Sequence, residues 1–363
     1  MDAARVNFLT VASLKEQAGE QALVAFIDCE LQSRSQRQTK AGKPYLVLTF
    51  ADATGSFNLN AWSDAPLFEA ASLMKDGTVL RMDAQWTQNQ YGVNAASIAW
   101  EVLTGEDLES FFAGDAATAE KQRRDWETIC TFCSGVRDPR LHALAERFIA
   151  DLGAKFRRAA AARKNHHARR GGLVEHVAQM MRTADLICSA YPELNRDLLI
   201  TGVLFHDCGK LWENQYPERG FGQGYTLHGE MLGHIPLGIE LVNKLWREVA
   251  DSPVAKDWLP LEPASETVRL HLLHLVASHH GEYAFGSPTL PRTPEAIALH
   301  YIDNLDAKLE MMKGAYAQAN ELADGIYEKV FPLPANLVAP LQAFDPLPPP
   351  LIAEEEEAKD NLF

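Results

Sequence analysis

The 363-residue chain reads as a multidomain α and β protein, in which an N-terminal five-stranded β-barrel precedes an all-α domain. Two observations predict this. Period-two apolar alternation punctuated by turn residues fills the first hundred positions, and after Thr104 the pattern changes to helix after helix.

The elements follow in order. Ala22 to Leu31 is apolar and β-prone, and the polar segment Gln32 to Pro44, carrying Arg34, Arg37, Lys40 and Lys43, reads as a loop before a second strand at Tyr45 to Phe50. The turn DATGS leads into Phe57 to Trp62, where Phe57, Leu59 and Ala61 share the inward face. Asp64 is placed to cap a helix running through Met74 and ending at Gly77, and strands are predicted at Thr78 to Trp86 and Tyr91 to Trp100. Three strands, a helix and two strands is the order of an OB-fold, a scaffold that commonly holds single-stranded nucleic acid or oligosaccharide. The basic loop and the TQNQYG loop would flank its binding face, and Tyr45, Trp62, Trp86 and Tyr91 are candidate platforms for stacking bases. Any one of these aromatics would serve equally well as core filling, so the expectation rests on the group.

The domains expected are residues 1–110 as an OB-fold nucleic-acid-binding domain, 111–335 as the helical domain with core motifs in 171–315, and 336–363 as a Pro-rich acidic tail. The tail, with PLPPP followed by Glu354 to Glu357, cannot bury enough apolar surface to order itself. It is read as solubilising, with docking of a protein partner as the alternative.

The net charge of −15 excludes a general nucleic-acid-coating surface. Residues 121–170, however, hold thirteen Lys or Arg against five Asp or Glu, a local basic surface beside the motifs described next. The chain has no apolar run long enough to span a bilayer and no export signal at its start, so a cytoplasmic protein without membrane contact is expected. Five cysteines, Cys130 and Cys133 forming one CxxC, point to reduced structural thiols.

Chemistry enters in the helical half. His176 lies at the start of one helix, the apolar run LLITGVLFHDCGK closes on His206 and Asp207, and further helices carry His234, His279, His280 and Asp303. Burying imidazole and carboxylate is costly unless they are paired or coordinated, so their recurrence at the ends of apolar helices predicts a cation. The mixed nitrogen and oxygen donors suit one or two divalent transition metals, manganese, iron, cobalt, nickel or zinc, rather than calcium. With Asp207 bridging, His176, His206 and Asp303 would complete one site and His234, His279 and His280 a second, the inventory of a phosphoester hydrolase. Asp306, one turn from Asp303, is either a ligand or a carboxylate orienting a histidine. Lys210 is expected to reach a phosphate oxygen beside His206 and Asp207, while His166, His167, His228, His271, His274 and His300 read as ordinary core or surface histidines.

These residues resemble the HD superfamily of metal-dependent phosphohydrolases, in the order H, HD, D. HDCGK, the LGH at His234, SHHGEYAFGSP and HYIDNLDA behind an OB-fold resemble more closely the YhaM family of 3′→5′ exoribonucleases, over about residues 20 to 315. The resemblance implies metal ligation by His176, His206, Asp207 and Asp303, with His234, His279 and His280 lining the same site. It also implies manganese as the metal and single-stranded RNA, or single-stranded DNA, as substrate. PVAKDWLPLEPASE, at Pro253 to Glu266, and the acidic tail have no counterpart in the pattern and leave homo-oligomerisation open. Two other readings were weighed: a phosphodiesterase for a small or cyclic nucleotide, which would carry a Gly-Tyr-Pro signature absent after His280, and a non-catalytic nucleic-acid-binding factor, which would have lost ligands.

Overall fold

In this computed structural model one long strand lies at the centre of the barrel sheet, with two strands on either side of it. The structure describes residues 7–341, apart from 90–91, 115, 164–165, 215, 219, 222 and 317–318. A short strand β1 (Phe8–Leu9) and helix α1 (Val11–Gln17) precede β2 (Leu23–Gln38), β3 (Pro44–Asp52), β4 (Gly55–Trp62), α2 (Pro66–Leu73), β5 (Val79–Asn89) and β6 (Gly92–Val102). The sheet order is β4-β3-β2-β5-β6, antiparallel throughout, with β1 parallel to β2. That order, with a helix between its third and fourth strands, is the OB-fold. β4 and β6 lie against one another, bringing the two ends of the sheet together.

Alternation explains the register. Leu46, Leu48 and Phe50 on β3 and Phe57, Leu59 and Ala61 on β4 are buried, while the residues between them face outward. α1 is an element that the strand-by-strand reading does not expect, yet its Val11 and Leu14 are fully buried in the barrel core.

β2 corrects the loop expected at Gln32 to Pro44. It continues to Gln38 through a bulge between Leu31 and Ser33, leaving residues 39–43 as the connection. Arg34 and Arg37 are therefore strand residues, while Lys40 and Lys43 remain in the exposed turn. The outer half of β2 is exposed on both faces, so no hydrophobic alternation marks it as a strand. α2 begins at Pro66 with Ala65 rather than Asp64 at its cap.

The helices that follow are α3 (Gly105–Ala113), α4 (Ala116–Ser134), α5 (Pro139–Phe156), α6 (Gly172–Ala190), α7 (Arg196–Phe205), α8 (Lys210–Glu213), α9 (Leu227–Leu232), α10 (His234–Ala250), α11 (Ser265–Ser278) and α12 (Pro294–Tyr316). Their apolar faces make a core separate from that of the barrel, centred on Phe148, Phe156, Leu173, Met181, Phe205 and Leu272. Two contacts tie barrel to helices. Phe111 and Phe112 of α3 pack on Phe221, and the buried Glu30 carboxylate accepts from the Phe221 backbone N–H at 2.6 Å. Part of the unassigned stretch, Pro253–Trp258, is a 3₁₀ helix whose Trp258 is buried against Trp246.

Where helix is expected to about Phe331, the helical run ends at Tyr316. A second compact unit, Gln318–Phe363, begins with strands β7 (Glu321–Ala323), β8 (Ile326–Tyr327) and β9 (Leu337–Val338). The two-residue turn Asp324-Gly325, with Gly325 at φ 68°, is the hairpin signal that the helical reading passed over. The acidic tail beyond residue 341 lies outside the described residues. Among the described residues no helix is long and apolar enough to cross a membrane. All five cysteines are free thiols, and burial pushes Cys133 up to about 12.

Candidate metal centre

Five helices and their ends deliver the predicted residues to one point. His176 sits in the first turns of α6, His206 closes α7 with Asp207 just beyond it, His234 opens α10, His279 and His280 follow the end of α11, and Asp303 lies midway along α12. His176, His206, Asp207 and His279 are all almost completely inaccessible to solvent.

Asp207 stands between two groups of imidazoles. Its Oδ2 lies 3.3 Å from His206 Nε2 and 3.9 Å from His176 Nε2, and its Oδ1 lies 3.5 Å from His234 Nε2 and 3.7 Å from His279 Nε2. Asp303 Oδ1 is 3.3 Å from His176 Nε2. Potential ligand atoms cluster as His176, His206 and Asp207 on one side and His234, His279 and His280 on the other, each set within 4.8 Å.

The other ring nitrogens explain why these atoms point inward. Nδ1 donates to a carbonyl in His206 (Val203), His279 (Val276) and His280 (Phe285), and to a carboxylate in His176 (Asp306, 2.6 Å) and His234 (Glu213, 2.8 Å). A donor bond at Nδ1 leaves the lone pair on Nε2, the form a metal binds. Buried Nε2 atoms of His176, His206, His234 and His279, together with Asp207 Oδ1, have no hydrogen-bond partner among the described residues. Native interiors rarely leave such groups unpaired, and five converging on one spot fit a divalent cation.

The electrostatics agree. Burial works against ionising Asp207, but Lys210 and His206 outweigh it and hold the carboxyl well below its usual range. Burial opposes charge on His176 too, yet Asp303 and Asp306 raise it to about 9. His279, buried beside His280 and His206, is held well below the normal imidazole value.

Asp306 takes the second of its two expected roles, and other residues acquire roles that spacing did not reveal. Asp306 accepts from both His176 and His167, which places it behind the histidine while Asp303 faces the centre. His167 is thus part of the scaffold, and its neighbour His166 is half-buried with its ring 6.1 Å from that of His176. Burial and the nearby Lys210 bring His166 down to about 4. Glu213 steers His234 from 21 residues away. No local pattern could have announced these pairings, because each joins segments distant in sequence.

Lys210 differs from expectation. Its ammonium is buried, lies 2.9 Å from Asp207 Oδ2 and donates to the Ala161 carbonyl, so it anchors Asp207 instead of standing free for a phosphate. Its position as the buried first residue of α8, directly after the turn that carries Asp207, is the reason.

On the barrel, the structure sorts the candidate nucleic-acid contacts. Trp86 is 0% exposed and its Nε1 donates to Ala25 O, so it is a core residue with no ring face for a base. Leu80, Met82, Ala84 and Trp86 alternate on one face of β5, which is the pattern that marks it as inward. Arg34 donates to the carbonyls of Ala71 and Ser72 at the end of α2, a structural use of its guanidinium. Tyr91 lies outside the described residues. Arg37, Tyr45 and Trp62 are directly opposite one another across β2, β3 and β4, with Tyr45 and Trp62 ring centroids 4.9 Å apart and Trp62 47% exposed. Lys40 and Lys43 are exposed at the same end.

Comparison with known proteins adds the family. An HD domain profile matches residues 173–308, the segment that holds every residue of the centre. The protein named 3′-5′ exoribonuclease YhaM of Geobacillus sp. (strain WCH70) is 32% identical over 314 residues, covering 86% of this chain and 90% of the relative. This chain belongs to the YhaM family. The YhaM protein of Bacillus subtilis (strain 168) is 33% identical over 298 residues, covering 80% of this chain and 87% of that relative. Among solved structures, the second OB-fold domain of replication protein A from Methanococcus maripaludis aligns with 27% of this chain and 97% of that one, at 17% identity and a TM-score of 0.20. In this YhaM family member the OB assignment rests on strand order, and the HD domain implies dependence on a divalent metal.

Proposed function

We propose that this chain is a metal-dependent 3′→5′ exoribonuclease that shortens single-stranded RNA, with single-stranded DNA as the alternative polymer, to nucleoside 5′-monophosphates. The observation that carries it is the set of five unpaired ligand atoms focused around Asp207, in a chain whose relatives are named 3′-5′ exoribonucleases. His176, His206, Asp207 and Asp303 would hold one ion and His234, His279, His280 and the second oxygen of Asp207 another, with manganese first among the metals suited to nitrogen and oxygen donors. Bound there, divalent ions supply acidity to water and offset charge on the phosphoryl oxygens.

The protein's part is to prepare that place. Asp306 and Glu213 fix the tautomers of His176 and His234, and Lys210 keeps Asp207 ionised and aimed. The row Arg37, Tyr45 and Trp62 offers a charge and two ring faces to the strand at the far end of the barrel.

The test incubates 5′-labelled single-stranded RNA with protein and Mn²⁺, or with chelator. Stepwise shortening from the 3′ end that vanishes with chelator is expected; internal cuts, or shortening that survives chelation, would refute the reading. For the barrel, Tyr45→Ala with Trp62→Ala should weaken RNA binding by about 1–3 kcal/mol per base unstacked. Arg37→Ala should lower the salt slope of binding by roughly one unit. Salt titration of fluorescence anisotropy measures both, and unchanged affinity in the double variant would remove this face from the RNA path.

A further inference from the structure

The outer face of the barrel does not end in solvent. Pairings Ser33–Thr49–Asn58, Ser35–Val47–Asn60 and Arg37–Tyr45–Trp62 form three rows on that face, and its Ser33 and Thr49 end, with Ser56 beside it, forms one wall of a cleft of about 550 Å³. The opposite wall belongs to the helical half and includes Arg163, Arg170 and Tyr225. The distance from Tyr45 to Thr49, four residues of strand, is about 13 Å, a short walk for an extended polynucleotide.

The helical wall is a built surface. The Arg163 guanidinium lies 3.9 Å from the centroid of the Tyr225 ring and is fixed by donation to the carbonyls of Glu213 and Gly224. Tyr225 is 75% exposed. Arg170 donates to the carbonyls of Pro217, Glu218 and Gly220, neutral acceptors that leave its positive charge in place. Exposed aromatic area held against a fixed guanidinium, facing hydroxyls and a second arginine, is what stacked bases linked by phosphates require.

The cleft is joined to the metal centre by the segment that forms it. Within residues 161–170, the Ala161 carbonyl receives Lys210, His166 lies beside His176, and Arg169 and Arg170 reach the cleft. Glu213, whose carbonyl anchors Arg163, uses its carboxylate to orient His234.

Resting on the exoribonuclease reading, we infer that this cleft is the tract for the nucleotides just upstream of the 3′ end, with a base stacked on Tyr225 and phosphates facing Arg163 and Arg170. It gives a use to part of the basic run before the HD motifs, since Arg163, Arg169 and Arg170 line the cleft.

The experiment uses the full chain in chelator, where no turnover occurs, and a 5′-fluorescein RNA 12-mer with one 4-thiouridine at the third position from its 3′ end. Irradiation should crosslink Tyr225 or its neighbours in 223–225. Affinity by anisotropy should fall at least tenfold in Ser56→Trp, which fills the cleft from the exposed barrel side, and severalfold in Tyr225→Ala, with Tyr225→Phe restoring it. Crosslinks confined to other segments, or Tyr225→Ala binding as tightly as wild type, would overturn the tract. If wild-type protein given Mn²⁺ leaves RNA intact, the exoribonuclease reading fails and the tract with it; shortening by wild type alongside unaltered affinity in the variants refutes the tract alone.

Discussion

Asp207→Ala is expected to reduce RNA shortening by at least about 10²–10³-fold, the scale lost when a preorganised charge at a reacting centre is removed. The side chain lies within 4 Å of both imidazole clusters, one oxygen toward each. Its loss also strips Lys210 of its carboxylate partner. A buried ammonium left without one costs about 3–5 kcal/mol unless it gives up its proton, so the variant should melt earlier as well as load less metal. Asp207→Asn separates the effects, since the amide oxygen can still accept from Lys210. It should recover much of the thermal stability and little of the turnover. Elemental analysis, calorimetry and the 5′-labelled RNA assay read the three quantities, and an alanine variant that kept a tenth of wild-type turnover would show that the centre does not depend on Asp207.

Gly209→Ala is the second large effect. A Cβ there would lie 1.9 Å from the His234 carbonyl oxygen and 2.8 Å from the Gly238 backbone nitrogen, both main-chain atoms that no rotamer change can move aside. The start of α10 must retreat, taking His234 away from Asp207. The expected destabilisation is at least about 3 kcal/mol, with metal content reduced in whatever folds. Wild-type melting and wild-type metal content in this variant would mean that the α10 contact is far softer than its geometry.

Gly209 also shows where sequence reasoning stops. Next to a helix end it reads as a cap, but its φ of −67° needs no glycine; the requirement is a backbone passing close by from 25 residues later. The metal ligands were legible for a different reason. Each places a costly polar group on or at the end of an apolar helix, and that cost is visible in one dimension. Asp306 was legible from its one-turn spacing to Asp303, whereas Glu213 and His167 carry no such signature, because what defines them is a partner 21 or 139 residues away. The barrel was legible from the alternation of Phe57, Leu59 and Ala61, and its second half from the turn residues that follow. Trp86 was assigned by residue type when its phase with Leu80 and Met82 already placed it inside, and Arg34 was lost to a strand whose outer half hides no apolar face.

The Glu30 bond to the Phe221 backbone, with the phenylalanines packed beside it, fastens the barrel to the helical half at a point between α8 and α9. An enzyme so fastened has a fixed gauge between handhold and blade. As a strand is consumed its free end recedes along the barrel, and once it no longer bridges the gauge it keeps one handhold out of two. Digestion should then slow at a short remnant, whose length in nucleotides is a measurement of that seam.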